Sequence, residues 1–170
     1  MAVSANMPRK KPPVVPIRAI DAIDRKIIAA VQNDGRISTH ELAERVGLSP
    51  SPCARRLRLL EETGIIKGYT AIIDQSKVGL PISAFASIKL ERQREENLDH
   101  FARAVAGWPE VADCYLMTGE RDYLMRIVVR DLPAYEQFLK SKLTRLEGVA
   151  SIETSFALGQ VKRSDTLPLR

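Results

Sequence analysis

Little in this 170-residue chain points to chemistry on a reacting centre. There are two histidines, His40 and His100, and two cysteines, Cys53 and Cys114. They lie far apart, without the spacing of metal ligands, so neither a disulfide framework nor a metal site is expected. Neither histidine has a nucleophile and an orienting carboxylate in the pattern around it. No glycine-rich phosphate loop and no paired-carboxylate motif occurs. These absences argue against an enzyme and leave no candidate catalytic residue and no cofactor of that kind. No apolar run is long enough to span a membrane. The basic N-terminus is followed by no hydrophobic segment, so a secretory signal is not expected. The reading is a cytosolic, reduced protein.

Positive charge is present, and it is unevenly placed. The formal net charge is +5. Residues 1–80 hold 13 Lys and Arg against 8 Asp and Glu, whereas residues 81–170 are balanced at 13 each. A polyanionic partner for the first half is the simple reading; solubility charge that happens to fall there is the bland one.

The stretch Ser38 to Gly64 organises the first half. Ser38 with Glu41 three residues on predicts a capping box, and Leu42, Ala43 and Val46 give the following helix an apolar stripe. Gly47 and Leu48 make a turn. Ser49 then reads as an N-cap, with Pro50 as first helical residue and Pro52 still in the first turn. In the second helix Cys53, Leu57 and Leu60 share one face, and Ser51, Arg55 and Arg58 share the opposite one. Gly64 ends it. This is a helix-turn-helix pattern, whose second helix offers its N-terminal half to the major groove of double-stranded DNA. Arginine suits that face, because its fork matches the O6/N7 edge of guanine or a phosphate. An ordinary helical hairpin with a solvated arginine face is the alternative. The candidate DNA-binding residues are Thr39 and His40 on the first helix, Ser49, Ser51, Pro52, Ala54, Arg55 and Arg58 around the second, and Lys67 beyond it.

Residues 1–18 are rich in Pro, Ala and Ser around Arg9-Lys10-Lys11 and read as a disordered tail. Asp21 or a neighbour opens a helix carrying Ile23, Ile27, Ile28 and Val31, the third helix of a DNA-binding unit. Residues 65–74 look like a strand, in the place of a wing. Residues 75–81 are a polar boundary. The second half alternates differently: strand 82–90, a helix through Leu98 to Val105, strands 111–118 and 122–129, a helix capped by Asp131 and ended at Leu146-Glu147-Gly148, and strand 149–158. The order β-α-β-β-α-β is that of a ferredoxin-like split βαβ. Helices cover one face of such a sheet. The other still carries Phe85 and Tyr115, so a partner subunit is expected.

The runs Asp21-Ala-Ile-Asp24-Arg-Lys, Asp34-Gly-Arg-Ile-Ser38, Gly47-Leu-Ser-Pro-Ser-Pro-Cys53 and Gly64-Ile-Ile-Lys-Gly-Tyr69 resemble those of the Lrp/AsnC, or feast/famine, regulators. So do Thr118-Gly-Glu-Arg-Asp-Tyr-Leu124, Leu146-Glu-Gly-Val149 and the tail from Val161 to Leu169, in the family's order across residues 19–169. The resemblance implies an α+β protein with a winged helix-turn-helix over 19–74, a linker over 75–81, a ferredoxin-like effector domain of the RAM type over 82–159 and a tail over 160–170. It implies a homodimer that joins sheet to sheet and assembles to an octamer or beyond.

It also implies an amino-acid effector near interfaces between dimers. The family's effector-response positions fall on Leu116, Thr118, Gly119 and Asp122, on Leu132 and Thr144, and on Ser155, Phe156 and Ala157. Backbone N–H groups at the Gly119 turn suit the effector's carboxylate, and Asp122 its ammonium. A plain hairpin turn accounts for Gly119 and Asp122 equally well. The runs from Tyr115 to Leu124 and from Ser155 to Leu158 look most like members tied to branched-chain or other hydrophobic amino acids, or cysteine. The function implied is transcription regulation. An architectural DNA-binding role with little sequence choice is the second reading.

Overall fold

The computed structural model describes residues 19–164 and 166–169; the leader with its Arg9-Lys10-Lys11 cluster lies outside them. The chain divides into two compact units. Of the described residues, one comprises 19–71 together with 163–164 and 166–169, and the other Ile72–Lys162.

The first unit holds α1 (Ala22–Asn33), α2 (Thr39–Val46) and α3 (Pro50–Glu62). Local chemistry sets where each begins. Asp21 caps α1 by a reciprocal box: Asp24 N donates to Asp21 Oδ1 at 2.8 Å, and Asp21 N to Asp24 Oδ2 at 3.3 Å. Ser38 and Glu41 build the same box on α2, as expected. Gly47 ends α2 at φ 76°, a left-handed conformation that glycine adopts without a Cβ clash. Ser49 is the N-cap of α3, but its side chain makes no capping hydrogen bond. The three helices close over Ile27, Ile28, Val31, Leu42, Ala43, Val46, Cys53 and Leu60. A fully buried aliphatic side chain in such a core is worth about 1.5–3 kcal/mol.

Two features differ from expectation. Residues 65–74 form no strand; among the described residues, Lys67 to Ile73 have no backbone hydrogen bond. Their composition favours a strand, but a strand needs a neighbour to pair with, and this unit offers none. The C-terminal residues pack with this unit: Leu167 N donates to Gln32 Oε1 at 2.6 Å, and Gln32 Nε2 to the Leu167 carbonyl at 3.4 Å.

The second unit holds β1 (Ile82–Leu90), α4 (Glu95–Ala106), β2 (Val111–Leu116), β3 (Tyr123–Val129), α5 (Leu132–Ser141) and β4 (Val149–Phe156). The sheet order is β2-β3-β1-β4, antiparallel throughout, as the split βαβ requires. Ala84, Ala86 and Ile88 of β1 and Tyr123, Met125 and Ile127 of β3 pack under Phe101, Val105, Phe138 and Leu143. Helix α5 stops at Ser141, and a 3-10 turn spans Leu143–Arg145. The expected helix to Leu146 is therefore too long; the Thr144 hydroxyl bonds the Leu139 carbonyl at 3.0 Å, one of the contacts with which such residues compete against a regular helix. β2 ends at Leu116 and β4 at Phe156, two residues short of the expected ends in each case.

Candidate nucleic-acid interface and effector residues

Helix α3 turns Cys53 and Leu60 into the core and leaves Arg55 and Arg58 exposed. Neither arginine has an ion-pair or hydrogen-bond partner among the described residues. Ser49, Ser51, Thr39, His40 and Lys67 are exposed as well, and Pro52 and Ala54 are half-buried. His40 lies 3.4 Å from Glu44, one turn on along α2. No candidate DNA-binding residue is buried in the core. Arg55 and Arg58 are thus unpartnered donors on one face of α3, complementary to phosphate and base-edge acceptors.

The sequence reading missed Arg56. Its Nη1 donates to Asp21 Oδ2 at 2.7 Å and to Asp24 Oδ1 at 2.8 Å. Asp24 is only 1% exposed. The Asp24 N–H, then the Arg56 guanidinium, hold the Asp21 carboxyl below its usual range, and the two carboxylates raise Arg56 above its own. The available signal was the helical wheel: Arg56 is turned by about 100° from Arg55. Beyond α3, the Tyr69 hydroxyl donates to Glu61 Oε1 at 2.9 Å, and burial followed by that carboxylate pushes its pKa up to about 12.

The expected effector-response positions fall into two groups. Leu116, Thr118, Gly119 and Asp122 lie on the β2–β3 hairpin. Thr144 follows α5 toward the same end of the sheet, where Val149 pairs with Leu90. Leu132 opens α5 at the other end, with Ser155, Phe156 and Ala157 at the end of β4. Phe156 pairs with Ala84 and Tyr123 with Ile88, so the groups are separated by at least four residues of β1, roughly 13 Å, as well as by intervening strands. One protomer does not bring them together around a single small molecule.

At the hairpin, Gly119 has φ 110°. Met117 N donates to the Asp122 carbonyl at 2.8 Å, while the N–H groups of Thr118, Gly119, Glu120 and Arg121 have no backbone acceptor. Asp122 is 4% exposed. Its Oδ2 accepts from Leu90 N at 2.7 Å and its Oδ1 from Gln93 Nε2 at 2.6 Å. Burial leaves this carboxylate with internal donors instead of solvent. Elsewhere, Phe156 meets Tyr135 edge to face with centroids 5.1 Å apart, and Ala157 N donates to the Ser83 carbonyl at 2.9 Å. Among the described residues, no group of three or more His, Cys, Asp or Glu side chains is placed to hold a metal ion. No helix among them is long and apolar enough to cross a membrane.

Comparison with known proteins bears on both units. Residues 20–67 match the model of a winged helix-turn-helix DNA-binding domain, and residues 83–167 that of the Lrp/AsnC ligand binding domain. The chain belongs to the Lrp/AsnC family. It is similar to the leucine-responsive regulatory protein of Rhizobium meliloti, at 43% identity over 84% of this chain and 92% of that one. The Bkd operon transcriptional regulator of Pseudomonas aeruginosa is 43% identical over 88% of this chain and 98% of the relative. Among solved structures, a Neisseria meningitidis transcriptional regulator in complex with L-Met superposes with a TM-score of 0.82 at 39% identity, covering 87% of this chain and 96% of that one. This Lrp/AsnC protein is a DNA-binding transcriptional regulator, and the fold expected from the order of its elements is the one found.

Proposed function

We propose that the protein binds a two-fold symmetric DNA site as a homodimer or larger assembly in the cytoplasm, with α3 in the major groove. One observation carries the groove assignment: Arg55 and Arg58 stand exposed and unpaired on the face of α3 opposite its core residues. Thr39, His40, Ser49, Ser51 and Lys67 supply further donors, and Pro52 and Ala54 keep the helix start narrow. The dimer is supported by the uncovered sheet face, where Phe85 and Tyr115 are exposed. Larger assembly, to an octamer or beyond, is part of the same reading.

The effector is proposed to be a hydrophobic amino acid, consistent with the L-Met held by the Neisseria relative. Its carboxylate lies against the open N–H groups of the Gly119 turn, and its ammonium replaces Gln93 on Asp122 Oδ1. Leu116, Thr118 and Thr144 border this end. Leu132, Ser155, Phe156 and Ala157 of a neighbouring copy would complete the pocket, since one protomer holds them apart.

The test is DNA binding across a salt series, with and without each amino acid, alongside calorimetry. The expected result is a salt slope near −0.9 per phosphate neutralised. A shift in affinity with at least one hydrophobic amino acid is expected, typically 5- to 150-fold for allosteric coupling. A specificity ratio near one would favour the architectural reading instead. No heat with any amino acid would remove the effector assignment.

A further inference from the structure

Three arginines crowd α3 at positions 55, 56 and 58, yet among the described residues only the half-buried Arg56 is tied to other side chains. It binds the two residues that cap α1. The four carboxylate oxygens involved each take a donor. Asp21 Oδ1 takes Asp24 N, Asp24 Oδ2 takes Asp21 N, and the two remaining oxygens take Arg56. One network therefore starts α1 and grips the middle of α3.

Apolar contacts are non-directional and leave a helix free to roll on its neighbours by small angles. Charge-assisted hydrogen bonds near 2.7 Å are directional and are not. Side chains project about 5–6 Å from a helix axis, so a 20° roll of α3 moves their tips by about 2 Å. That is enough to break a bidentate bond to a base. The Arg56 charge is opposed by those of the two acids it bridges, which weakens its pull on phosphate.

We propose that Arg56 is a positioning residue for sequence readout: clamped to Asp21 and Asp24, it fixes the roll of α3 and so aims Arg55 and Arg58. The proposal rests on α3 being the groove-entering helix.

The experiment uses the full chain, a DNA site selected by that protein from random sequence, and a scrambled duplex. Affinities for both are measured over a salt series, well below the melting temperature. Arg56→Met should lower the ratio of specific to scrambled affinity on the order of tenfold, the scale of one misaimed bidentate base contact. Its salt slope should not change. Arg56→Met takes the Arg56 cation away from buried Asp24. If that variant does not fold, Arg56→Met combined with Asp24→Asn removes the carboxylate charge as well and should show the same loss. Arg56→Lys, which can still bridge both acids, should restore most of the ratio. A purely structural residue would lower the melting temperature and leave the ratio intact in every folded variant, overturning the proposal. A salt slope reduced by about 0.9 would also overturn it, by making Arg56 a direct phosphate contact. Arg55→Ala is the control for the underlying reading. If that variant keeps the parent's ratio, α3 is not the reading helix, whatever Arg56 does.

Discussion

The carboxylate of Asp122 accepts the backbone N–H of Leu90 at 2.7 Å, tying the β2–β3 hairpin to the end of β1. Asp122→Ala leaves that N–H without its partner in a buried place and should cost about 1–3 kcal/mol of stability. Gln93→Ala is expected to behave differently. It removes the side chain that occupies Oδ1 and leaves the Leu90 bond alone. Under the proposed effector mode it should tighten amino-acid binding at little cost in stability. Calorimetry and thermal melting on the two variants separate these outcomes; weaker binding in Gln93→Ala would count against the ammonium position.

Arg55→Ala should cost about 1–3 kcal/mol on the cognate site and relax base preference there. Half-site centres should lie one helical turn apart or a multiple of it, about 34 Å for one turn. Competition binding and footprinting read both, and a footprint without two-fold symmetry would contradict the dimeric mode.

Acid should weaken the helix caps. The backbone N–H of Asp24 lowers the Asp21 carboxyl, and the Ser38 hydroxyl, then its N–H, lower that of Glu41. A carboxyl with a lowered folded-state pKa stabilises above its unfolded value and loses that contribution as pH falls through the folded one. Through these groups the melting temperature should stay level above about pH 5 and drop below about pH 4. A melting series in constant salt measures this; a Ser38→Ala variant should show a shallower drop.

Phe85 faces the uncovered side of the sheet, opposite Ser155 on β4 and Arg126 on β3. Phe85→Arg would set a charge in the proposed dimer contact and should weaken it by about 2 kcal/mol or more, the scale of a central interface residue. Light scattering over a dilution series should find dissociation at higher concentration than for the parent. An unchanged assembly would place the dimer contact elsewhere.

Most of the fold was legible because its signals are local. Asp21, Ser38 and Asp131 each cap a helix by chemistry that acts within three residues, and alternation along 82–90 reports the two faces of β1. Where pairing decides, the chain was less readable. Residues 65–74 have strand composition and no neighbour to form a ladder with. Arg56 looks like one more surface arginine until its partners, 32 and 35 residues away, are located. The effector-response positions could be recognised from family resemblance, but not their separation, because that depends on which end of the sheet each loop reaches. The partners of Asp122 were hidden for the same reason: Leu90 and Gln93 are about 30 residues earlier in the chain.

The Gln32–Leu167 amide pair gives the polypeptide a looped path. The chain leaves the DNA-binding unit near Ala71, traverses the effector unit, and finishes back on α1. A fluorophore or affinity tag added after Leu169 would therefore report on, and burden, the DNA-binding unit, although the match to the ligand binding domain runs to residue 167.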